Sequence, residues 1–473
     1  MEYNKYEVVV LRKFIDRENE LDTLEKEFGR DSSSLVILYG RRRVGKTSLC
    51  SEFVKDKTAL YFLASEESEN QNRIAFKALA ADYTGNSLLK MASVDNWDTV
   101  FAEIVNQKTD FKKIIIMDEF QNLGRTNSAF PSIFQRIWDT ILRDSNIMVI
   151  LCGSLVSMME AQTLNYGSPL YGRRTAQLKL KQIPFRYYHE FFPEKNEKEL
   201  IENYSITGGV PKYIELFTAE KDIYTAIKRN VINKSSFLYD EPNFLLQHEV
   251  SEVGSYFSII KTIASGNHKL SKISAELEVK QSNLTRYLKT LIDLDILERE
   301  TPVTESVPEK SKKGLYKITD NFILFWFKFI YPNRGYIESD HEQVVVEKIR
   351  GNLTDNHISF VYEDICRSKM WQLSAEKTWT FEANKVGRWW DGKNNEIDIV
   401  AIDDDGKNII FGECKYWKGI VGINVLTALE EKAKLVDWNR DIRKNYFILF
   451  SINGFSDELK ALAEKRNDLI LMR

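Results

Sequence analysis

A glycine-bounded loop followed by a lysine and a threonine has the clearest chemistry in this sequence. Residues 35–50 read LVILYGRRRVGKTSLC: an apolar strand, a loop that fits G-x-x-x-x-G-K-T, and the start of a helix. Gly40 and Gly45 let the backbone curl so that its N–H groups point at phosphate oxygens, and Lys46 reaches the β- and γ-phosphates. The Thr47 hydroxyl can ligate Mg²⁺. The alternative is a tight glycine turn, but the flanking strand and helix favour binding of a nucleoside triphosphate. The residues predicted to bind the nucleotide here are Gly40, Arg43, Val44, Gly45, Lys46, Thr47 and Ser48.

Two adjacent carboxylates follow a second apolar strand further along the chain. The run IIIMDE ends in Asp118 and Glu119, and open α/β sheets bind their ligands at the carboxyl ends of the strands. Asp118 is predicted to hold Mg²⁺, and Glu119 is predicted to polarise the attacking water as a general base. The next apolar strand leads to Ser154, whose hydroxyl is predicted to point toward the γ-phosphate. A strand-end cap is the alternative role of Ser154.

A pair of arginines offers a group that could stabilise charge in the transition state. Arg173 and Arg174 follow Tyr171-Gly172, and an arginine near the γ-phosphate accelerates phosphoryl transfer, either in cis or from a neighbouring subunit. The alternative is a solvated or salt-bridged surface pair. An arginine that acts in trans would require an oligomer.

The overall composition is that of an ordinary globular protein. The chain has 473 residues, of which 43% are hydrophobic and 29% charged, and its net charge is −3. Any DNA-binding surface must therefore be local. The cysteines are scattered and form no C-x-x-C pair, which argues against a zinc site and favours a reducing, cytoplasmic setting. We also expect neither a signal peptide nor a membrane span.

The order of elements predicts an α/β fold. Continuous apolar runs at 35–39, 59–63, 113–117 and 148–152 alternate with helical patterns such as 132–143, which is typical of an open, mostly parallel sheet. From about residue 191 the pattern becomes helical, and the last third is again mixed α/β.

Three helices followed by two short strands, between residues 255 and 318, have the order of a winged helix. The third helix, 280–294, carries side chains that suit a DNA groove. They are Lys280, Gln281, Ser282, Asn283, Thr285, Arg286 and Lys289. The alternative is a packed lid or a protein-contact module, because few basic side chains would reach phosphates. Aromatic residues at helical spacing over 322–329 then predict a buried connecting helix that ends at Pro332.

Six motifs in order resemble the archaeal-type ATPase family within the STAND branch of AAA-like P-loop ATPases. They are FIDRENELDTLEKEF, GRRRVGKT, MDEFQNL, CGS, LYGRR and TGGVPKYIELF. The resemblance implies that Phe14, Ile15 and Arg17 belong to an element near the adenine, and that Gly209 and Pro211 of a lid contact the base. It also implies a slow switch, in which ATP or ADP sets the arrangement of domains.

A second acidic pattern lies in the last third of the chain. Asp398 stands on an apolar strand, and Glu413 and Lys415 stand two residues apart on the next one, so that they face the same side. Glu363 falls in a helix-like run upstream. Carboxylates can hold Mg²⁺ and a lysine can orient or deprotonate a bound water, which is the requirement for phosphodiester hydrolysis.

The arrangement of Asp398, Glu413 and Lys415 resembles the PD-(D/E)xK, restriction-endonuclease-like fold, although Ile397 replaces the proline before the aspartate. The resemblance implies a metal site of Glu363, Asp398 and Glu413, with Glu413 and Lys415 in catalysis. The alternatives are a binding-only domain with relic acids and a solvated hairpin.

Together these patterns predict four domains: a P-loop ATPase core (1–190), a helical lid (191–250), a winged helix with its connecting helix (251–335) and a nuclease-like α/β domain (336–473). We interpret the chain as an ATP-binding and hydrolysing switch that uses Mg²⁺ and couples nucleotide state to DNA binding or cleavage. The alternative is a nucleotide-gated regulator or scaffold whose inactive last domain binds partners.

Overall fold

The structure is a computed structural model that describes residues 14–473. The chain forms two compact units. The first extends to Phe191 and also includes Val210–Lys212, and the second comprises Phe192–Gly209 and Tyr213–Arg473. The finer division into four domains stays a prediction. Among the described residues, no helix is both long and apolar enough to cross a membrane.

A five-stranded parallel sheet forms the centre of the first unit, in the order β2-β3-β4-β1-β5. The strands are β1 Ser34–Tyr39, β2 Ala59–Leu63, β3 Lys113–Asp118, β4 Ile147–Gly153 and β5 Ala176–Lys179. Every residue of β1, β3 and β4 is buried, as expected for apolar strands covered on both faces. Because these strands are parallel, the residues that follow them meet at one edge of the sheet.

Helices connect the strands of this sheet. They are α1 Glu18–Phe28, α2 Lys46–Phe53, α3 Glu69–Thr84, α4 Ser87–Met91, α5 Trp97–Asn106, α6 Gln121–Thr126, α7 Phe130–Ile137 and α8 Val156–Met159. The predicted helical pattern over 132–143 is present as α7 followed by a π-helical turn, Trp138–Leu142. Its apolar side chains, such as Phe134 and Ile137, are fully buried.

The second unit begins with helices. They are α9 Glu197–Thr207, α10 Pro211–Thr218 (whose first two residues belong to the first unit), α11 Ile223–Ile227, α12 Glu241–Glu249, α13 Val253–Ala264, α14 Leu270–Glu276 and α15 Gln281–Asp293. An antiparallel ribbon of β6 Leu297–Glu300 and β7 Leu315–Ile318 follows. The predicted order of three helices and a ribbon is therefore present, and its assignment as a winged helix stays a prediction.

The aromatic segment after the ribbon is a buried helix, as predicted. Phe322, Phe325 and Trp326 are almost fully buried, and the Trp326 indole N–H donates to the Tyr239 carbonyl at 2.7 Å. Pro332 and Asn333, which were predicted to end this helix, lie in the 3₁₀ turn that follows its π turn. Helical backbone continues through α16 Asn321–Phe325, a π turn and a 3₁₀ turn (Tyr331–Asn333) into α17 Arg334–Glu338. Pro332 stands at the start of the 3₁₀ turn, where a missing backbone N–H costs little.

A mixed five-stranded sheet forms the last part of the second unit, in the order β12-β11-β10-β9-β8. Its strands are β8 Lys385–Trp390, β9 Glu396–Ile402, β10 Asn408–Lys415, β11 Lys444–Ser451 and β12 Leu469–Met472, and its helices are α18 Glu342–Leu353, α19 Ser359–Ala375, α20 Ile423–Leu435 and α21 Asp457–Ala463. Strands β8 to β10 pair antiparallel and β10 to β12 pair parallel. The predicted fold class, an α/β chain with a parallel sheet followed by a mixed-sheet domain, is confirmed.

The loop of the ribbon lies against the edge strand β8 within this unit. The Val303 N–H donates to the Arg388 carbonyl at 2.9 Å, and the Trp390 indole N–H donates to the Lys313 carbonyl at 3.2 Å. Arg388 also pairs with Glu300 of β6 at 3.3 Å. These contacts cover an edge that would otherwise expose unpaired backbone groups.

Candidate active site

The loop between β1 and α2 is shaped by backbone conformations that favour glycine. Gly40 has a φ of 150° and Gly45 a φ of 97°, and Arg43 between them also has a positive φ of 70°. A Cβ on Gly40 would lie 2.3 Å from the Leu180 carbonyl oxygen, so no larger residue fits there. The helix α2 begins at Lys46 directly after Gly45. The loop therefore presents backbone N–H groups and a helix N-terminus to one point, as phosphate binding requires.

The Lys46 side chain folds back into this loop. Its ammonium group donates to the carbonyl oxygens of Gly40 at 2.7 Å and of Arg41 at 2.9 Å, and Lys46 is only 7% exposed. These two carbonyl oxygens accept the hydrogen bonds that the Lys46 ammonium group would donate to phosphate oxygens in the presence of a nucleotide. Val44 is buried beneath the loop, whereas Thr47 and Ser48 of α2 are exposed.

Asp118 at the end of β3 lies directly beside Thr47. The Thr47 hydroxyl donates to Asp118 Oδ2 at 3.1 Å, and the Glu119 N–H donates to Oδ1 at 2.9 Å. The Tyr61 hydroxyl of β2 also donates to Asp118 Oδ2. A threonine hydroxyl next to a carboxylate is an all-oxygen donor set, which is what Mg²⁺ prefers. These residues therefore fit a magnesium ion, with Thr47 and Asp118 as the groups that would hold it.

Glu119 occupies a strained backbone position at the same edge. Its φ is 52°, which non-glycine residues rarely adopt and which occurs often at functional sites. The Ser154 hydroxyl donates to Glu119 Oε2 at 2.8 Å, and the Gln121 amide donates to the same oxygen. Ser154, predicted to face the γ-phosphate, thus contacts the predicted general base. Sequence reasoning missed Tyr61, which lies outside every motif, and gave no role to Gln121, which lies within MDEFQNL.

Of the N-terminal residues Phe14, Ile15 and Arg17, Arg17 contacts the phosphate loop directly. The Arg17 guanidinium donates to the carbonyls of Val44 at 3.3 Å and Lys181 at 2.5 Å, and Arg17 is 5% exposed. Ile15 is buried, and Phe14 packs against the core cluster beneath β1. Arg17 therefore holds the backbone of the phosphate loop, and a contact of these residues with adenine stays a prediction.

Of the two lid residues, Pro211 belongs to the first unit. A Cβ on Gly45 would lie 3.8 Å from Pro211 Cγ, so that the proline ring borders the loop. Gly209 belongs to the second unit, and its role at the base stays a prediction.

The arginine pair has the arrangement that the sequence analysis gave as the alternative, a solvated or salt-bridged surface pair. Arg173 forms a bidentate ion pair with Asp139, with its Nη2 at 2.7 Å and its Nε at 3.0 Å from Asp139 Oδ2. The Arg174 guanidinium lies 5.8 Å from the centre of the Tyr171 ring. Arg173 is thus held in a salt bridge here, and a role as arginine finger would require that bridge to open.

The residues of the second acidic pattern lie on the neighbouring strands β9 and β10. Glu413 accepts from Lys415 at 2.7 Å and from Lys432 of α20 at 3.3 Å. Asp398 Oδ2 accepts from the Cys414 N–H at 2.9 Å. Both carboxylates are 8% exposed. Lys432 lies 17 residues after Lys415, and the sequence pattern did not include it.

The carboxylates of this cluster influence one another electrostatically. Burial, with the charge of Glu413, raises the pKa of Asp398 to about 6. Burial, with the charge of Asp398, raises the pKa of Glu363 on α19 to about 8. The surroundings of both carboxyl groups therefore favour the protonated, uncharged form.

The described part of this cluster shows no ready group of metal ligands. In residues 14–473, no three His, Cys, Asp or Glu side chains lie in a group that could hold a metal ion. Two lysines pair with Glu413, and a backbone N–H donates to Asp398. A metal site of Glu363, Asp398 and Glu413 stays a prediction.

The sequence matches two protein families over separate regions. Residues 14–217 match a family described as an ATPase domain predominantly from Archaea. Residues 326–433 match a family described as Archaea bacterial proteins of unknown function. The first match includes the phosphate loop, Asp118, Glu119 and Ser154. The ATP-binding and hydrolysing part of the chain is therefore the N-terminal α/β region.

Similar proteins occur in methanogenic and other archaea. An uncharacterised protein of Methanocaldococcus jannaschii is 37% identical over 439 residues, which are 92% of this chain and 95% of that protein. An uncharacterised ATP-binding protein of the same organism is 23% identical over 298 residues, 52% of this chain and 78% of that protein. The solved structure of a Walker-type ATPase of Pyrococcus abyssi has a TM-score of 0.51 at 21% identity, covering 66% of this chain and 96% of that one. This structural likeness concerns the fold.

Proposed function

The chain belongs to the family of the Methanocaldococcus jannaschii protein that it matches along nearly its whole length. Because it contains an archaeal ATPase domain, we propose that it is a magnesium-dependent ATPase that acts as a molecular switch. The observation that carries the proposal is the hydrogen bond between Thr47 and Asp118 at the mouth of the phosphate loop. It joins the loop to the acidic strand end, as one Mg-ATP site requires.

The side chains of the site have separate tasks in this proposal. Lys46 leaves the loop carbonyls and binds the β- and γ-phosphates, because phosphate oxygens are stronger acceptors than backbone carbonyls. Thr47 and Asp118 hold Mg²⁺, which when bound neutralises charge on those phosphates. Glu119 accepts the proton of the attacking water, and Ser154 and Gln121 orient its carboxylate.

The proposed switch rests on how the lid residues are divided between the two units. Pro211 borders the phosphate loop at Gly45, and it begins the helix α10, whose residues from Tyr213 onward belong to the second unit. A change at the γ-phosphate thus has a short covalent route to the second unit. This supports the proposal that ATP and ADP favour different arrangements of the chain.

ATP hydrolysis by the purified protein tests this function. Lys46→Ala should abolish binding of a fluorescent ATP analogue and release of phosphate, because no other group on α2 replaces its charge. Glu119→Gln should keep ATP binding while slowing hydrolysis by about 10²–10³-fold, as expected for loss of a general base. The matched control is Lys26→Ala, because Lys26 is exposed and, among residues 14–473, forms an ion pair with Asp22 alone. Hydrolysis that is unchanged in Lys46→Ala would sink the proposal.

DNA is the partner we propose for the second unit. On α15, the side chains of Lys280, Gln281, Asn283 and Lys289 are exposed, while Leu284 and Leu288 on the opposite face are buried. Since the ribbon loop is bonded to β8, α15 rather than the loop would enter a groove. Lys280→Ala with Lys289→Ala should weaken DNA binding and lower its salt dependence. Equal affinity in the variant and the wild type would favour a protein partner.

Metal-dependent DNA cleavage by the last domain is the second candidate function. It is favoured by Asp398, Glu413 and Lys415, which the neighbouring strands β9 and β10 bring to one cluster. Plasmid and linear DNA would be incubated with Mg²⁺ or Mn²⁺, with and without ATP, using wild type and Glu413→Gln. Cleavage that needs Glu413 would support a nuclease. Cleavage that survives Glu413→Gln would mean a contaminant or a different site, and no cleavage at all would leave the domain as a binding module.

A further inference from the structure

We propose that Tyr61 is a positioning residue of the ATPase site, whose hydroxyl holds Asp118 in the orientation that faces Thr47. The inference rests on the proposed ATPase function and deepens it. Tyr61 is on β2, outside every nucleotide motif, and its contact with the site exists only because of the way the sheet is assembled.

The strand register places Tyr61 on the same face of the sheet as Asp118. In the parallel pair of β2 and β3, Leu63 is opposite Asp118 and Tyr61 is opposite Ile116. Side chains two residues apart on a strand share a face, so the Tyr61 ring lies along the face that carries Asp118. The neighbouring side chains Leu60 and Phe62 point to the other face and are buried there. A shift of one residue in this register would remove the contact entirely.

The hydroxyl of Tyr61 completes the set of donors around a buried carboxylate. Asp118 is 4% exposed. Its Oδ1 accepts from the Glu119 N–H, and its Oδ2 accepts from both Thr47 and Tyr61. A buried carboxylate needs such donors because it has lost water. Two donors on Oδ2 from different elements, α2 and β2, fix the torsion of the carboxylate more firmly than Thr47 could alone.

Tyr61 can act on Asp118 only as a donor. A carboxylate can only accept, so the phenol is the donor in this hydrogen bond. With Mg²⁺ bound, Thr47 would turn toward the ion, while Tyr61 would keep its hydrogen bond to Asp118 and hold the carboxylate in its orientation. Groups that orient a metal-binding carboxylate in this way typically affect metal affinity or activity 10–100-fold.

The variant Tyr61→Phe isolates this hydrogen bond. The ring of Tyr61 packs against the apolar cluster around Ile116 and Cys50, and phenylalanine preserves that packing while it removes the hydroxyl. Tyr83→Phe is the matched control, because the Tyr83 hydroxyl is also buried in the first unit but has no hydrogen-bond partner among the described residues.

The main measurement is the affinity for a fluorescent ADP analogue with EDTA and with Mg²⁺. We expect Tyr61→Phe to leave the affinity in EDTA unchanged and to reduce the Mg²⁺-dependent gain in affinity by about 10-fold. We expect Tyr83→Phe to behave as wild type under both conditions. An equal loss in EDTA and Mg²⁺, or no loss at all, would overturn the proposal.

The second measurement is hydrolysis in a double-mutant cycle with Asp118→Asn. Tyr61→Phe alone should lower kcat by about 10-fold. In the Asp118→Asn background it should have no further effect on kcat, since the group it orients is gone. Fully independent effects would show that Tyr61 does not act through Asp118. If the wild type itself hydrolyses no ATP, the proposed function fails, while the ADP measurement still decides the role of Tyr61.

Discussion

Gly40 lies so close to Leu180 that a Cβ on the glycine would stand 2.3 Å from the Leu180 carbonyl oxygen. The same Leu180 donates its N–H to the carbonyl of Tyr39 at 2.7 Å, directly before the loop. The segment after β5 thus fixes the point at which the phosphate loop leaves β1. Gly40 is required for the position of the loop as well as for its curvature.

The variant Gly40→Ala should therefore both destabilise the first unit and abolish nucleotide binding. The steric clash and a φ of 150°, which only glycine adopts readily, should together lower the free energy of unfolding by about 3 kcal/mol. Gly167→Ala is the control, because a Cβ there meets no atom within 4 Å, and it should change stability by less than about 0.5 kcal/mol. Urea titrations and binding of a fluorescent ATP analogue would check both effects. Normal binding by Gly40→Ala would contradict this account.

Arg17 offers a second test of how the loop is held. We expect Arg17→Met to weaken ATP binding by about 10-fold, because hydrogen bonds from a charged donor to the Val44 and Lys181 carbonyls contribute about 1.5 kcal/mol or more. Methionine keeps most of the buried volume, so the first unit should still fold. Titrations with ATP and with a nucleoside alone would be compared.

A loss that appears with ATP and not with the nucleoside places the effect at the phosphates, as the geometry of Arg17 predicts. The control is Arg125→Met, because Arg125 forms an exposed ion pair with Glu66 on the surface. If Arg17→Met weakens the nucleoside as strongly as ATP, Arg17 contacts the base instead, which is the role that the family resemblance implied.

His357 makes the stability of the second unit depend on pH. Burial lowers the pKa of His357 to about 3, and its Nε2 donates to the Ser205 carbonyl at 2.6 Å. Its ordinary pKa is about 6.5, so below that pH the unfolded chain binds a proton that the folded protein excludes. Stability from this residue is complete above pH 6.5 and falls by about 1.4 kcal/mol per unit as the pH decreases toward 3.

The variant His357→Gln keeps a donor for Ser205 but cannot titrate. The free energy of unfolding of this variant would be measured by urea titration between pH 7.5 and 4.5. As the pH decreases, it should fall less steeply than that of the wild type, with a difference in slope of about 1.4 kcal/mol per pH unit. The exposed His341 provides the control His341→Gln, which should retain the wild-type slope. Parallel curves for wild type and His357→Gln would refute the assignment.

The features that could be predicted from the sequence are formed by residues that lie close together along the chain. The phosphate loop is a run of eight residues whose glycines, lysine and threonine act together, so its role could be read directly. The buried strands β1, β3 and β4 are unbroken apolar runs, and the carboxylates at the end of β3 are adjacent in sequence.

The groups that the sequence could not reveal depend on contacts between distant elements. Tyr61 reaches Asp118 through the register of β2 and β3, and Lys432 reaches Glu413 from a helix. The ion pair of Arg173 with Asp139 likewise joins two segments that no local pattern relates.

Lys432 should prove to be a structural partner of Glu413 in the last domain. Glu413 is almost buried and is bound by Lys415 and Lys432. Removing the charge of Lys432 leaves excess negative charge beside Asp398. The charged form of Asp398 is already disfavoured, because burial raises the pKa of its carboxyl group. Lys432→Met should therefore lower the free energy of unfolding by about 1–2 kcal/mol, a value reduced from that of a fully buried pair because Lys432 is partly exposed.

A double-mutant cycle distinguishes this ion pair from packing of the lysine stem. In a Glu413→Gln background, Lys432→Met should cost much less than in wild type, because the charge it neutralises is absent. Lys434→Met is the control, since Lys434 forms an exposed ion pair with Glu431 on the same helix, and it should be nearly neutral in both backgrounds. The pKa of Asp398, followed by carboxyl NMR, should rise above its value of about 6 in Lys432→Met, because Lys432 is one of the charges that hold it down. An unchanged pKa together with additive free energies would mean that Lys432 is a surface lysine whose contact with Glu413 contributes nothing.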